Sequence, residues 1–450
     1  MPVLTHHTAS AAVPQLPQLR SDAWTTDVLA RLPADLDNQA RSLRAFLRPR
    51  GIGCPSDLLR GLLAYVLETN SFRLLGIWAV LQGIADISDT AWRKHLRNAN
   101  PWLLWLLGEL LAAQVACAPD LAHKKRRICL VDATRLRQEG GSGDDWRLHL
   151  CFDLLAGRMS EVLVSDCHSA ERMRHFAPKQ GDIYVGDSGY GYRNNLLYVR
   201  SKQADVVLRM HPNTFPLEDA AGRSFDVLAW LLRQHATLAE WQGFCRYQGQ
   251  RCAVRLVASK LPPDKLAKAR QRKKDDAKRR GRKLSAKTLM VAGWWLLIST
   301  LSAREWSASE IVRLYQARWQ IELVFKRIKQ LLRLASLRAK TPQTVEPTIR
   351  ALLVAWALEE KVAAEMRALL PSGARSPSSP VSSWLLAGLS VQTLRQQVRG
   401  SWTLARLQEC LPRLVRFLVS SPRRRRQQEA ELRHWLDERF STPQLLQEAA

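Results

Sequence analysis

Two periodicities divide the chain. From residue 24 to about 118, apolar residues recur at helical spacing, as in LLRGLLAYVLE (58–68) and FRLLGIWAVLQ (72–82). Gly83 breaks the pattern, and Ser88 stands where an N-cap would open a short helix over DTAWRKHLRNA. That helix carries Arg93, Lys94 and Arg97. Helix, turn and basic helix is the outline of a helix-turn-helix; a helical bundle with a solvated basic face gives the same pattern. From residue 126 the period shortens. RRICLVDATRL, WRLHLCFDLL and SEVLVSDC are runs rich in Val, Ile and Leu, separated by Gly- or Ser-containing turns, and predict three strands. A helical stretch around ERMRHFAPK is expected next, then a strand at DIYVGDSGY, a helix around NNLLYVRSKQ and a strand at ADVVLRM. That order predicts a mixed α/β sheet.

Residues 211–300 interrupt it. GFCRYQGQRCAVRLVAS predicts a hairpin turning near Gln248–Gly249, and VAGWWLLISTL a strand. Between them, residues 260–287 hold 13 Lys or Arg against three Asp. A helix is expected within 307–335 and an apolar one over about 345–367. The Ser/Pro/Gly stretch PSGARSPSSPVSS then precedes a helical C-terminal region. The expected organisation is a disordered leader (1–23), a helical N-terminal domain (24–122), a core in two pieces (123–210 and 301–367), an insertion (211–300), and a linker with a helical region (368–450).

Composition narrows the partner. The 450 residues carry 68 Lys plus Arg against 41 Asp plus Glu, a formal charge of +27, which favours a polyanion and nucleic acid first. A hydrophobic content of 46% excludes a basic tail and implies packed cores. The leader lacks the basic and apolar regions of a signal peptide. Residues 102–118 include Glu109 and Gln114 and are too short and too polar for a membrane span, which favours a buried helix. The eight Cys are scattered with no CxxC pair, which argues against a zinc knuckle or disulfide framework and for a reducing cytosol.

The chemistry concentrates in LYQARWQIELVFKRIKQLL. At roughly 100° per residue, Tyr315, Arg318, Glu322 and Lys329 project from an arc of about 60° on one helix. An ion-paired surface helix is the bland alternative. Asp132 in CLVDAT and Asp187 in YVGDSGY each follow an apolar run, so each would stand at a strand end. Such a carboxylate is costly to bury without a cation or donor. Together with Glu322 they can hold a pair of hard divalent ions through oxygen ligands and support in-line phosphoryl transfer.

These motifs resemble the DDE transposases of bacterial insertion sequences, in the type-four group. Tyr315, Arg318, Glu322 and Lys329 match the Y-x2-R-x3-E-x6-K signature without a gap. Asp132-Ala133-Thr134 and Asp187-Ser188-Gly189-Tyr190 match the D-x-T and D-R-G-Y motifs, with Ser188 in place of the usual Arg. The resemblance implies an RNase H-like mixed-sheet catalytic core interrupted by a β-rich insertion, with helical N- and C-terminal regions. It implies Asp132, Asp187 and Glu322 as catalytic metal ligands for two Mg2+, with Mn2+ able to substitute. Tyr315, Arg318 and Lys329 would contact phosphates, and Trp294 would stack on a base flipped from the duplex. The implied partners are double-stranded DNA, both transposon ends and target, and a second copy of the chain in a synaptic complex. No membrane is implied, and the setting is the bacterial nucleoid. A transposase-derived DNA-binding protein without chemistry, and a metal nuclease that cuts without joining, are the alternatives.

Overall fold

A computed structural model describes residues 22–69, 71–116, 126–141, 145–334, 337–370, 381–419 and 424–441, the side chains of 115–116, 424–429 and 441 excepted. Nearly all of the expected leader and most of the expected linker lie outside these residues.

The N-terminal region is helical as expected. Ser88 caps the helix Asp89–Asn98 by accepting the Ala91 N–H at 3.2 Å. Trp92 and Leu96 anchor that helix in the core, while Arg93, Lys94 and Arg97 face solvent. The apolar stretch at residue 102 forms the helix Asn100–Ala116, packed against the long helix Pro342–Leu369. No described helix is long and apolar enough to cross a membrane.

The strands are β1 (Ile128–Leu136), β2 (Trp146–Asp153), β3 (Arg158–Asp166), β4 (Ile183–Gly186), β5 (Asp205–Arg209), β6 (Leu217–Glu218), β7 (Ser224–Phe225), β8 (Leu238–Tyr247), β9 (Gln250–Lys260) and β10 (Trp294–Ser299). Among the described residues they form one sheet in the order β3-β2-β1-β4-β5-β10-β9-β8-β6-β7. β1, β4 and β5 run parallel, and β2 and β3 fold back antiparallel at one edge. The insertion does not build a separate sheet. β10 pairs antiparallel with β5, Leu297 opposite Arg209, so the inserted strands extend the first sheet. The β8–β9 hairpin turns at Gln248 and Gly249, with φ of 49° and 78°. Two consecutive left-handed residues are what a two-residue hairpin loop with the strands' own twist requires.

Alternation along the strands separates two cores. Ile128 and Leu130 of β1, Ile183 and Val185 of β4, and Leu297 of β10 face the helices Trp319–Leu331 and Pro342–Leu369. Cys129, Val131, Tyr184, Trp294, Leu296 and Ile298 face the other way, toward the helix Arg193–Ser201.

Two expectations are corrected. ERMRHFAPK is not a helix beyond the short 3-10 turn Met173–His175. Side chains from elsewhere take its backbone donors: Asn195 accepts the Met173 N–H and Glu161 the Ala177 N–H, at 3.0 and 2.8 Å. The region 307–335 is two helices, Ala308–Gln316 and Trp319–Leu331, with a turn at Ala317–Arg318. The first opens on a capping box in which Ser307 and Glu310 bond each other's backbone.

Candidate active site

The parallel register of β1 and β4 pairs Ile128 with Ile183 and Val131 with Gly186, so the next step brings Asp132 level with Asp187. By alternation Asp132 lies on the face covered by the helix Trp319–Leu331. Burial, with the Asp187 charge second, pushes the Asp132 carboxyl up to about 7. Asp132 Oδ1 accepts the Ala133 N–H and Asp187 Oδ1 the Gly189 N–H, both at 2.8 Å.

Arg318 lies at the junction of the two helices and reaches down onto Asp132. Its Nη1 donates to Asp132 Oδ2 at 3.0 Å and its Nη2 to Glu322 Oε1 at 2.5 Å. Further along the same helix, Lys329 Nζ donates to the Arg135 carbonyl at 3.2 Å. Arg318 and Lys329 therefore both engage β1. Tyr315 is 5% exposed, and burial raises its hydroxyl pKa while the Arg209 and Arg318 charges lower it. Its ring meets Trp295 edge-on, with centroids 5.6 Å apart.

Trp294 does not share that face. It is 6% exposed and packs with Leu296 and Ile298 in the opposite core, with Lys260 Nζ 5.8 Å from its ring centre. Trp295, half-buried, is the tryptophan beside Tyr315. Both indoles nonetheless border a groove of about 520 Å³ with Ser188, Arg209, His211 and Lys268. Trp295 and Lys265 continue it into a second hollow that ends at Tyr315 and Arg318. The basic stretch beyond β9 supplies one wall as the helix Pro263–Arg279, none of whose residues is buried. The solvent-facing cations Arg93, Lys94 and Arg97 belong to the N-terminal helices, and their helix packs chiefly on the helices Phe72–Leu81 and Pro342–Leu369.

Reading motifs alone misses Glu171. Its carboxylate presses on the turn after Asp187: a Cβ on Gly189 would stand 1.5 Å from Glu171 Oε2. Arg147 lies 4.0 Å away. Burial and then the Asp187 charge raise the Glu171 carboxyl. No periodicity or spacing marks Glu171, because the segment that carries it is neither strand nor regular helix.

Carboxylate oxygens are donors of the type a hard cation takes. Asp132 lies inside β1 and not at its end as expected, and its carboxyl, pushed toward neutrality, is stable as an anion only beside positive charge. Here the guanidinium of Arg318 supplies that charge. Among the described residues no three His, Cys, Asp or Glu side chains converge closely enough to hold a metal ion, and Arg318 stands between Asp132 and Glu322.

A family model described as "Transposase DDE domain" matches residues 123–358. The putative transposase InsL for insertion sequence element IS186A of Escherichia coli strain K12 is 34% identical over 343 residues, covering 74% of this chain and 92% of its own length. The transposase for insertion sequence element IS421 of Escherichia coli is 34% identical over 344 residues, with the same coverage of both chains. A DDE transposase domain implies an RNase H-like fold, and β3-β2-β1-β4-β5 with the helices over it forms that core.

Proposed function

The chain belongs to the DDE-domain transposases of bacterial insertion sequences, enzymes that cleave and join DNA, and from that premise we propose how its residues divide the work. Transposases with this domain use divalent metal ions. Asp132, Asp187 and Glu322 would hold two Mg2+, Glu322 joining the set once Arg318 turns toward a DNA phosphate. When bound, such ions activate the attacking oxygen and stabilise the leaving one. The observation that carries this reading is the level placement of Asp132 and Asp187 on parallel strands, capped by the helix with Arg318 and Glu322.

Arg318 suits a phosphate through its planar fork, with Tyr315 on the helix before it and Lys329 further along the helix after it as additional phosphate contacts. The sequence of steps is a cut at the transposon end and attack by the freed 3′-hydroxyl on the opposite strand, which forms a hairpin. Water then opens the hairpin, and the same hydroxyl attacks target DNA. The groove beside Trp294 and Trp295 would take a flipped base, and the helix Pro263–Arg279 would follow the backbone. Arg93, Lys94 and Arg97 would contact the transposon end. Synapsis of two ends requires a second copy of the chain, and the enzyme would act at the nucleoid.

The test is Glu322→Gln. Nicking of a transposon-end duplex in Mg2+ should fall by at least about 10³-fold with end binding nearly intact. A variant that nicks at the wild-type rate would sink the assignment. A pre-cut 3′-hydroxyl end that wild-type protein joins to target DNA separates a transposase from a nuclease.

A further inference from the structure

The two aspartates are held in different ways. Asp132 lies within β1, opposite Leu150. Asp187 follows Gly186, the last paired residue of β4, and depends on its turn. Inside that turn the Asp187 carboxylate accepts the Gly189 N–H at 2.8 Å, and the Tyr190 N–H returns to the Asp187 carbonyl at 3.2 Å. These bonds shape the turn without fixing where it sits.

Asn195 supplies an anchor. It lies in the first turn of the helix Arg193–Ser201 and is 3% exposed. Its Nδ2 donates to the Tyr190 carbonyl at 3.1 Å and to the Glu171 carbonyl at 3.3 Å. Its Oδ1 accepts the Met173 N–H at 3.0 Å. One buried amide thus joins the Asp187 turn to the 171–173 segment, which has only a single 3-10 turn of its own. Arg147 holds the start of that segment by donating to the Ser169 carbonyl at 2.6 Å. Joined this way, the two segments press the Glu171 carboxylate onto Gly189, where a side chain could not fit.

We infer that Asn195 is a positioning residue of the catalytic centre: its amide sets the height of Asp187 over the sheet and keeps Glu171 against the Asp187 turn. This rests on Asp187 being a catalytic carboxylate. Productive carboxylate geometry tolerates displacements of only about 0.5 Å, so a turn tied by one side chain is a sensitive point. Asn195→Asp would keep the size and the acceptor for the Met173 N–H. It would lose both donors and set a carboxylate against two carbonyl oxygens.

The test uses the full chain with Asn195→Asp and, as a control, Lys202→Ala at the exposed residue that follows the same helix. Hydrogen exchange at 171–173 and 187–191 should quicken by roughly tenfold in Asn195→Asp, with the rest of the sheet unchanged, as loss of buried donors implies. The Mg2+ concentration for half-maximal nicking of end DNA should rise about tenfold, Mn2+ should restore part of the rate, and end binding in EDTA should stay within about twofold. Lys202→Ala should match wild type in every readout. Wild-type exchange in both segments together with a wild-type Mg2+ curve would overturn the inference. So would global loosening with an unmoved Mg2+ curve, which would make Asn195 a fold residue and nothing more. Nicking that persists in Asp187→Asn would instead remove the site assignment beneath it, whatever the exchange at 187–191 shows.

Discussion

Arg318 bridges Asp132 and Glu322, 3.0 Å from the first carboxylate and 2.5 Å from the second. Its guanidinium neutralises the pair that a divalent ion would otherwise claim. A metal bound there would compete with Arg318 for the same oxygens, and a DNA phosphate offered to Arg318 would relieve the competition.

Arg318→Met removes the competitor and leaves the carboxylates facing one another. Without divalent metal the variant should be less stable than wild type. Added Ca2+, which binds without supporting cleavage, should then raise its melting temperature more than it raises that of wild type. The expected excess is on the order of 1 kcal/mol, or about 2–4 °C. A Ca2+ response equal to or below that of wild type would show that Arg318 does not occupy the ion's place.

The adjacent tryptophans should separate by face. Trp294 is buried, so Trp294→Ala should cost about 3–5 kcal/mol, read from denaturant unfolding. Trp295 stands on the carboxylate face against Tyr315. With 2-aminopurine at the flipped position, Trp295→Ala should lose most of the fluorescence rise that accompanies flipping, because a lost stack is worth roughly 1–3 kcal/mol. Trp294→Phe, which keeps the core filled, should retain that rise. The reverse result would return the base to Trp294, and no change in either variant would remove the stacking role.

Lys265, Lys268 and Arg272 fall at i, i+3 and i+7 on the helix Pro263–Arg279 and line the groove together. Replacing all three with Gln should lower the slope of log K against log salt by about 2–3, near 0.9 for each phosphate that is no longer neutralised. Preference for the transposon end over other DNA should not change, since backbone contacts position without reading sequence. An unchanged slope would make this helix a solvated arm.

What the sequence exposed and what it hid follow from range. The hairpin at Gln248–Gly249, the Ser88 cap and the strand carrying Asp132 are set by residues within a few positions, and their chemistry is written locally. The pairing of Leu297 with Arg209 joins strands 88 positions apart (297 − 209), and no local pattern reveals that the insertion extends the core sheet. Glu171 and Asn195 are hidden for a related reason. Each matters through partners in another segment of the chain, and Glu171 also lies where the chain has no regular period. Trp294 and Trp295 show the limit from another side: alternation requires them to face apart, and only the built sheet says which faces the carboxylates.

Glu359 offers a test away from the catalytic face. It lies on the long helix Pro342–Leu369 and is 8% exposed, and Ser390 Oγ donates to its Oε1. Burial pushes its carboxyl up to about 7, from an ordinary value of 4.5. A carboxyl whose folded pKa is raised binds its proton more tightly when folded. Its contribution to stability is therefore complete below about 4.5 and is lost as pH climbs through about 7. Glu359→Gln keeps the shape and an acceptor for Ser390 without a proton to lose. The variant and wild type should match near pH 4.5, and the variant should gain by on the order of 1–3 kcal/mol by pH 8. Melting temperatures across that range decide it. A difference that stays flat with pH would mean that Glu359 is already ionised in the fold, paired with the Arg327 or Arg367 charges that oppose the shift.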